Sequence, residues 1–440
     1  MSEMIWLSAL VVSMVLALRW PLVGFCLVYP MMLLCPLRFE SIPVVSTPFG
    51  ILAVFTAATA LLVIRRSRLR LFTRPILVPY FLMVSVLLIL GLSGYGSAEA
   101  AAFRVRLYLV GMWPFVLAWL IFRTRRDAFA VMFAMVASSI ALGGEVLWLI
   151  LTRGQEALAG SQEQSLRILA DENKAMQPIN YITMMVVALC STIVLSLALD
   201  GGWRKRWRLS MLGAWALMAG TVLLAPYASP IVALALATGF LMVLRLFKRG
   251  RRVLGYALLA LVILGGGVLV YRIPSVKQTM GRIGDPSADA SASWRMKAFV
   301  EEPLAFLESP LIGNGAAIDL QYTPAGHMLV GHTSFLRDAS QWGLVFMIPF
   351  FAMLVVVGRQ YLKLLKRVKA PVDVAVARAM FVSYLVAIVV GAVVTPTFGE
   401  IAQDTVFWTC TAVVLFWNQY ADANPGAPFL VWKHSRGVVA

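Results

Sequence analysis

Few side chains in this sequence have the chemistry of a catalyst. There are three histidines, His327, His332 and His434. His332 opens the run Gly331-His332-Thr333-Ser334-Phe335-Leu336, and an imidazole of ordinary basicity can take a proton from a hydroxyl at neutral pH. Several cations share its part of the chain. Arg295 has the planar fork that holds a phosphate through two parallel hydrogen bonds. Lys174 and Arg167 rank below it, and Arg272, Arg282 and Arg337 lower again. The cysteines Cys26, Cys35, Cys190 and Cys410 all lie in apolar runs without metal-like spacing. They read as small buried hydrophobes, and no metal or cofactor is expected.

These residues belong to two polar segments in a chain otherwise built of apolar blocks. The shorter, 152–178, gathers Arg167, Asp171, Glu172, Asn173, Lys174 and Gln177-Pro178 just ahead of an apolar run. Free backbone N–H groups and cationic side chains converge at such a helix entrance and suit an anionic or sugar ligand. The longer, 272–341, is too long for a structureless connection and has apolar anchors of its own, Trp294, Phe299, Leu304, Phe306 and Leu307. Asp289 or Ser291 is the expected cap of a helix carrying Trp294, Arg295, Lys297 and Phe299 and ended by Pro303. Ser309-Pro310-Leu311-Ile312-Gly313-Asn314-Gly315 follows as a turn whose glycines permit close backbone approach. A continuous helix from His332 would bring Gly343 back to the histidine's face after about three turns, with Phe335, Leu336 and Ala339, and would set Arg337 about 140° away.

The elements that must carry these segments are membrane helices. Hydrophobic residues make up 60% of the chain, charged residues 13%, and the mean hydropathy is +0.83; apolar runs of about 15 to 24 residues recur throughout. The expected fold is an all-α polytopic membrane protein of about 12 transmembrane helices, with a large, partly helical periplasmic segment before the last three spans. Residues 4–36 hold two short apolar runs broken at Arg19-Trp20-Pro21. Clearer blocks follow at 48–64, 75–94, 107–122, 128–151, 179–199, 208–225, 229–247 and 253–271, then 342–358, 372–395 and 404–418. The organisation is thus a transmembrane bundle over 1–271, an external catalytic segment over 272–341, C-terminal transmembrane helices over 342–418 and a cytoplasmic tail over 419–440.

The net charge of +17 is an orientation signal and not a nucleic-acid footprint. The cations cluster between apolar blocks, around 65–74, 123–126, 204–208, 245–252 and 359–369, and alternate loops fall on one side. The positive-inside rule makes that side cytoplasmic and puts 37–47, 95–106, 152–178, 226–229, 272–341 and 396–403 outside.

With these residues in place, the carboxy-terminal half resembles the O-antigen ligase and O-antigen polymerase superfamily of bacterial surface-polysaccharide enzymes. The resemblance rests on Ser291 to Phe346. It comprises the arginine-bearing run at Trp294-Arg295, the turn from Ser309 to Gly315, and His332-Thr333-Ser334-Phe335-Leu336 ahead of Gly343. Two positions depart from the family pattern. Thr333 stands where Asn, Ser or Gln is usual, and Ser229-Pro230 where the family has Ser-Arg.

The resemblance implies a metal-independent, inverting glycosyl transfer at the periplasmic face of the bacterial inner membrane. The donor would be a polyprenyl-diphosphate-linked oligosaccharide and the partner a glycan acceptor hydroxyl. His332 would be the general base and Arg295 the cation stabilising the departing diphosphate, with Lys174, Arg167, Arg337 and His327 as substrate-binding residues. The missing mid-chain arginine favours a polymerase of a surface or secreted polysaccharide over a ligase acting on lipid A-core. A transporter or flippase is the competing class, with Glu145 after Gly143-Gly144 as the one clear acid inside a span.

Overall fold

The computed structural model describes residues 2–35, 48–63, 74–92, 98–153, 181–200, 202–225, 228–248, 300–315, 334–393, 401–424 and 429. Among these, every regular element is a helix and none is a strand. In chain order they are α1 (Ser2–Arg19), α2 (Pro21–Leu34), α3 (Pro48–Val63), α4 (Arg74–Leu92), α5 (Ala98–Gly111), α6 (Trp113–Ile121) and α7 (Arg125–Arg153). Then come α8 (Tyr181–Asp200), α9 (Lys205–Leu224), α10 (Ala228–Lys248), a short helix over 300–308, α11 (Ser334–Arg367), α12 (Pro371–Val393) and α13 (Ile401–Ala423). Among the described residues, seven helical stretches are long and apolar enough to cross a membrane, and four shorter apolar helices accompany them. Such helices satisfy their backbone groups internally, as lipid requires.

Helix boundaries follow local chemistry. Prolines open α2, α6 and α12, where the missing N–H has no intrahelical partner to lose. The first apolar stretch is two helices hinged at Trp20. Two expected boundaries are corrected. Residues 95–106, expected as a loop, contain the start of α5, because Ala98, Ala100, Ala101 and Ala102 are strong helix formers. The apolar block expected at 107–122 is correspondingly two helices that meet at Met112. Pro303, expected to end a helix, lies inside the 300–308 helix; a proline forfeits the bond to the carbonyl four residues back and leaves later bonds intact.

The almost wholly buried α8 is the centre of one half of the bundle, packed by α7, α9, α10, α12 and α13, while α9 lies at the periphery. Buried hydroxyls tie the helices across the core. Tyr29 pairs with Thr409 at 2.8 Å, Thr192 with Ser383 at 2.8 Å, and Ser196 donates to the Ala375 carbonyl at 2.7 Å. Cys190 and Cys410 are buried among them and Cys26 and Cys35 partly so.

The two ends of the bundle differ in charge. Asp200 at the end of α8 accepts from Arg378 of α12 at 2.7 Å and faces Arg245 of α10 at 3.2 Å. Asp422 near the end of α13 pairs with Lys363 at 3.2 Å and with Arg367, both on α11. Arg125 at the start of α7 lies over the Tyr420 ring, 5.8 Å from its centroid. These contacts bring the basic stretches around 123–126, 204–208, 245–248 and 359–369 to one end. The starts of α11 and α13 are therefore at the other, and that end holds the buried polar cluster described next.

Candidate functional site

The cluster is built where α11 begins. Arg337 and Asp338 are 2% and 0% exposed, and the Arg337 Nε donates to Asp338 Oδ1 at 2.9 Å. The Tyr108 hydroxyl of α5 donates to the other carboxylate oxygen at 2.6 Å. Tyr108 is itself held from behind, because its carbonyl accepts the Tyr80 hydroxyl of α4 at 2.8 Å. At the start of α13, Asp404 is buried so close to α5 that a Cβ at Gly111 would fall 2.5 Å from its Oδ2. One residue later, Thr405 accepts from the Trp113 indole at 3.0 Å.

Glu302, on the short 300–308 helix, completes the group. It is 1% exposed, and among the described residues neither carboxyl oxygen has a hydrogen-bond partner. Burial raises its carboxyl most. Arg337 draws it back down, Asp338 pushes it up, and it ends at about 8. Glu302 therefore carries its proton at neutral pH, and one guanidinium serves two carboxyls without an uncompensated charge. Gln341 Oε1, Trp342 Nε1 and both ends of the Gln403 amide are also buried without partners at the head ends of α11 and α13.

A backbone clamp positions the cluster. Gly343, at φ +65° and ψ −166°, breaks α11 in two. The break frees carbonyls on one side and N–H groups on the other, and the turn from Ser309 to Gly315 satisfies both. Asn314 N donates to Ser340 O at 2.9 Å and Gly315 N to Gln341 O at 3.0 Å; in return Leu344 N donates to Pro310 O at 2.9 Å and Val345 N to Leu311 O at 3.1 Å. The Asn314 side chain adds bonds to Ala305 O and, at 3.2 Å, Ser340 O.

The expected close approach at the glycines is what the turn uses. Gly313 and Gly315 have positive φ, and a Cβ on Gly313 would meet the Gln341 backbone, 2.5 Å from Trp342 N and closer to Gln341 itself. The helix expected from His332 to Gly343 is present from Ser334 up to the break at Gly343; residues 332 and 333 lie outside the described residues.

Of the candidate site residues singled out by sequence, Arg337 is described: it is buried beside Asp338. His332, Arg295, Lys174, Arg167 and His327 lie outside the described residues, as do Arg272, Arg282 and His434. His332 is two residues ahead of α11 in the sequence, and His327 seven. Glu145 is half-buried on α7. Tyr108, Glu302, Asp338 and Asp404 were missed. The one sequence signal for any of them was the adjacent opposite charges of Arg337 and Asp338 at a span entrance.

Fold and site together define an all-helical membrane protein with a buried acid–base cluster at one end of its bundle. No family model matches the chain, and no curated protein is significantly similar to it.

Proposed function

We propose that this protein is a glycosyltransferase of the O-antigen ligase and polymerase type. It joins a polyprenyl-diphosphate-linked oligosaccharide to an acceptor hydroxyl at the periplasmic face of the bacterial inner membrane. The membrane topology that goes with this reading has about 12 spans, the basic end cytoplasmic and the cluster end periplasmic.

The observation that carries the reading is the clamp. Gly315 is hydrogen-bonded to Gln341 and Asn314 to Ser340, so the chain is pinned beside a buried charge cluster just before 316–333, the stretch that contains His327 and His332. A catalytic group must be closely positioned to be effective, and this pinning supports the reading.

In the proposed reaction the acceptor hydroxyl attacks the anomeric carbon and loses its proton to the His332 imidazole. The carbon–oxygen bond to the diphosphate breaks, and its electron pair leaves with the phosphate. Arg295 stabilises that charge, with Lys174 and Arg167 as further cations. Arg337, buried beside Asp338, belongs to the same end of the bundle as the start of α11.

The test is a strain lacking the gene and complemented with His332→Ala or Arg295→Ala, in which polymer and lipid-linked intermediates are both measured. The expected outcome is loss of long polymer, or of capped lipopolysaccharide, with accumulation of lipid-linked precursor on the outer face. Lipopolysaccharide capped with single repeats would indicate a polymerase, and uncapped core with long lipid-linked polymer a ligase. Wild-type product from His332→Ala would refute the catalytic assignment, and precursor retained on the inner leaflet would identify a flippase.

A further inference from the structure

The short helix over 300–308 is oriented inside out for a helix in water. Its acid Glu302 and Ala305 face the protein and are buried, whereas Val300, Leu304 and Leu307 are 61%, 41% and 68% exposed. At about 100° per residue these three lie within an arc of about 60°, opposite Glu302. The stripe continues into the clamp turn, where Leu311 and Ile312 are 65% and 39% exposed. Single exposed leucines are ordinary, but a contiguous set on one face marks a contact surface.

Continuity identifies what that surface meets. Leu344 N and Val345 N bond to the Pro310 and Leu311 carbonyls, so the stripe abuts the point where α11 resumes after its break. From there Leu344, Val345, Ile348, Phe351 and Val355 are exposed at helical spacing, as on the lipid face of a spanning helix. The roughly 15 residues from 344 to 358, ahead of the basic stretch, extend about 22 Å, and the long side chains of Arg359 and Lys363 reach on toward the headgroups, which together accounts for most of a hydrocarbon core of about 30 Å. Residue 344 is thus near the outer edge of that core, and the stripe beside it is at the same level. Residues 300–312 include no lysine or arginine, and Glu301 and Glu308 border the stripe, so this stretch itself offers lipid an apolar contact.

We infer that residues 300–312 form an interfacial anchor, with Val300, Leu304, Leu307, Leu311 and Ile312 inserted among the lipids at the acyl–headgroup boundary. The anchor holds the Glu302–Arg337–Asp338 cluster at the depth of the lipid headgroups. The inference does not depend on the glycosyltransferase reading, and its test involves no glycan.

The protein is reconstituted into neutral phosphatidylcholine vesicles, and a fluorophore is attached to Leu307→Cys, with Val300→Cys as a second site on the stripe and Glu308→Cys as the control beside it. Wild-type protein labelled in parallel supplies the blank for the native cysteines. Probes at 307 and 300 should be quenched by a nitroxide lipid labelled near the carbonyl level, and about threefold less by aqueous iodide than the probe at 308. Salt should leave this unchanged. Equal iodide quenching at 307, 300 and 308 would overturn the inference. So would protection of 307 and 300 from both quenchers, which would mean that protein covers the stripe.

Discussion

Glu302 concentrates the electrostatic question at the scale of single residues. Its carboxyl titrates at about 8 in the folded protein, against an ordinary value of 4.5. Between those values the folded state keeps a proton that the unfolded state has lost, so stability falls as pH rises across that window, by up to ~1.4 kcal/mol per pH unit. Below 4.5 the contribution is fully present, and above about 8 it is lost. Glu302→Gln keeps the shape and removes the titration. The substituted protein should lose this pH-dependent slope and unfold at a higher temperature than wild type at pH 8, as thermal melts in detergent from pH 5 to 9 would show. Parallel curves for the two proteins would contradict the assignment.

At the scale of elements, the clamp between the Ser309–Gly315 turn and the break in α11 governs the site. Gly343 occupies a backbone region that is nearly closed to residues with a Cβ, and a Cβ there would fall 2.5 Å from Gly313 N and closer to the Leu311 carbonyl oxygen. Gly343→Ala should therefore cost at least ~2 kcal/mol locally and release the turn. Limited proteolysis should then cut near 309–315 in the variant under conditions that spare wild type. At Gly144 an added methyl would meet nothing within 4 Å. It is the matched control, and Gly144→Ala should leave the digestion pattern unchanged.

For the whole molecule, opposite ends of the bundle perform different tasks. The basic end is tied by Asp200, which faces Arg378 and Arg245 and so joins α8, α10 and α12. Asp200→Asn leaves two partly buried guanidinium groups facing each other, at a cost of roughly 1–3 kcal/mol. The midpoint of thermal unfolding should drop by several degrees, while the Glu302 pH response at the other end stays intact. The tail is attached at the basic end as well: Phe429 stacks on Trp417 at 4.3 Å, and its N–H donates to Asp373 at 2.9 Å.

The sequence by itself settled the helical class, the positions of most of the described apolar helices and the turn at Gly313. Each depends on short stretches meeting one solvent, lipid or water, and hydropathy measures that directly. Tertiary structure decided the rest. Tyr108 reaches Asp338 across 230 positions, and Glu302 looked like one more external acid until its helix was seen to turn it inward. The burial of Arg337 with Asp338, and of Asp338 with Tyr108, is likewise a tertiary result. The break at Gly343 was illegible for the same reason. A helix ends there because the Pro310 and Leu311 carbonyls are within reach of its freed N–H groups, and that proximity exists only after the chain has folded.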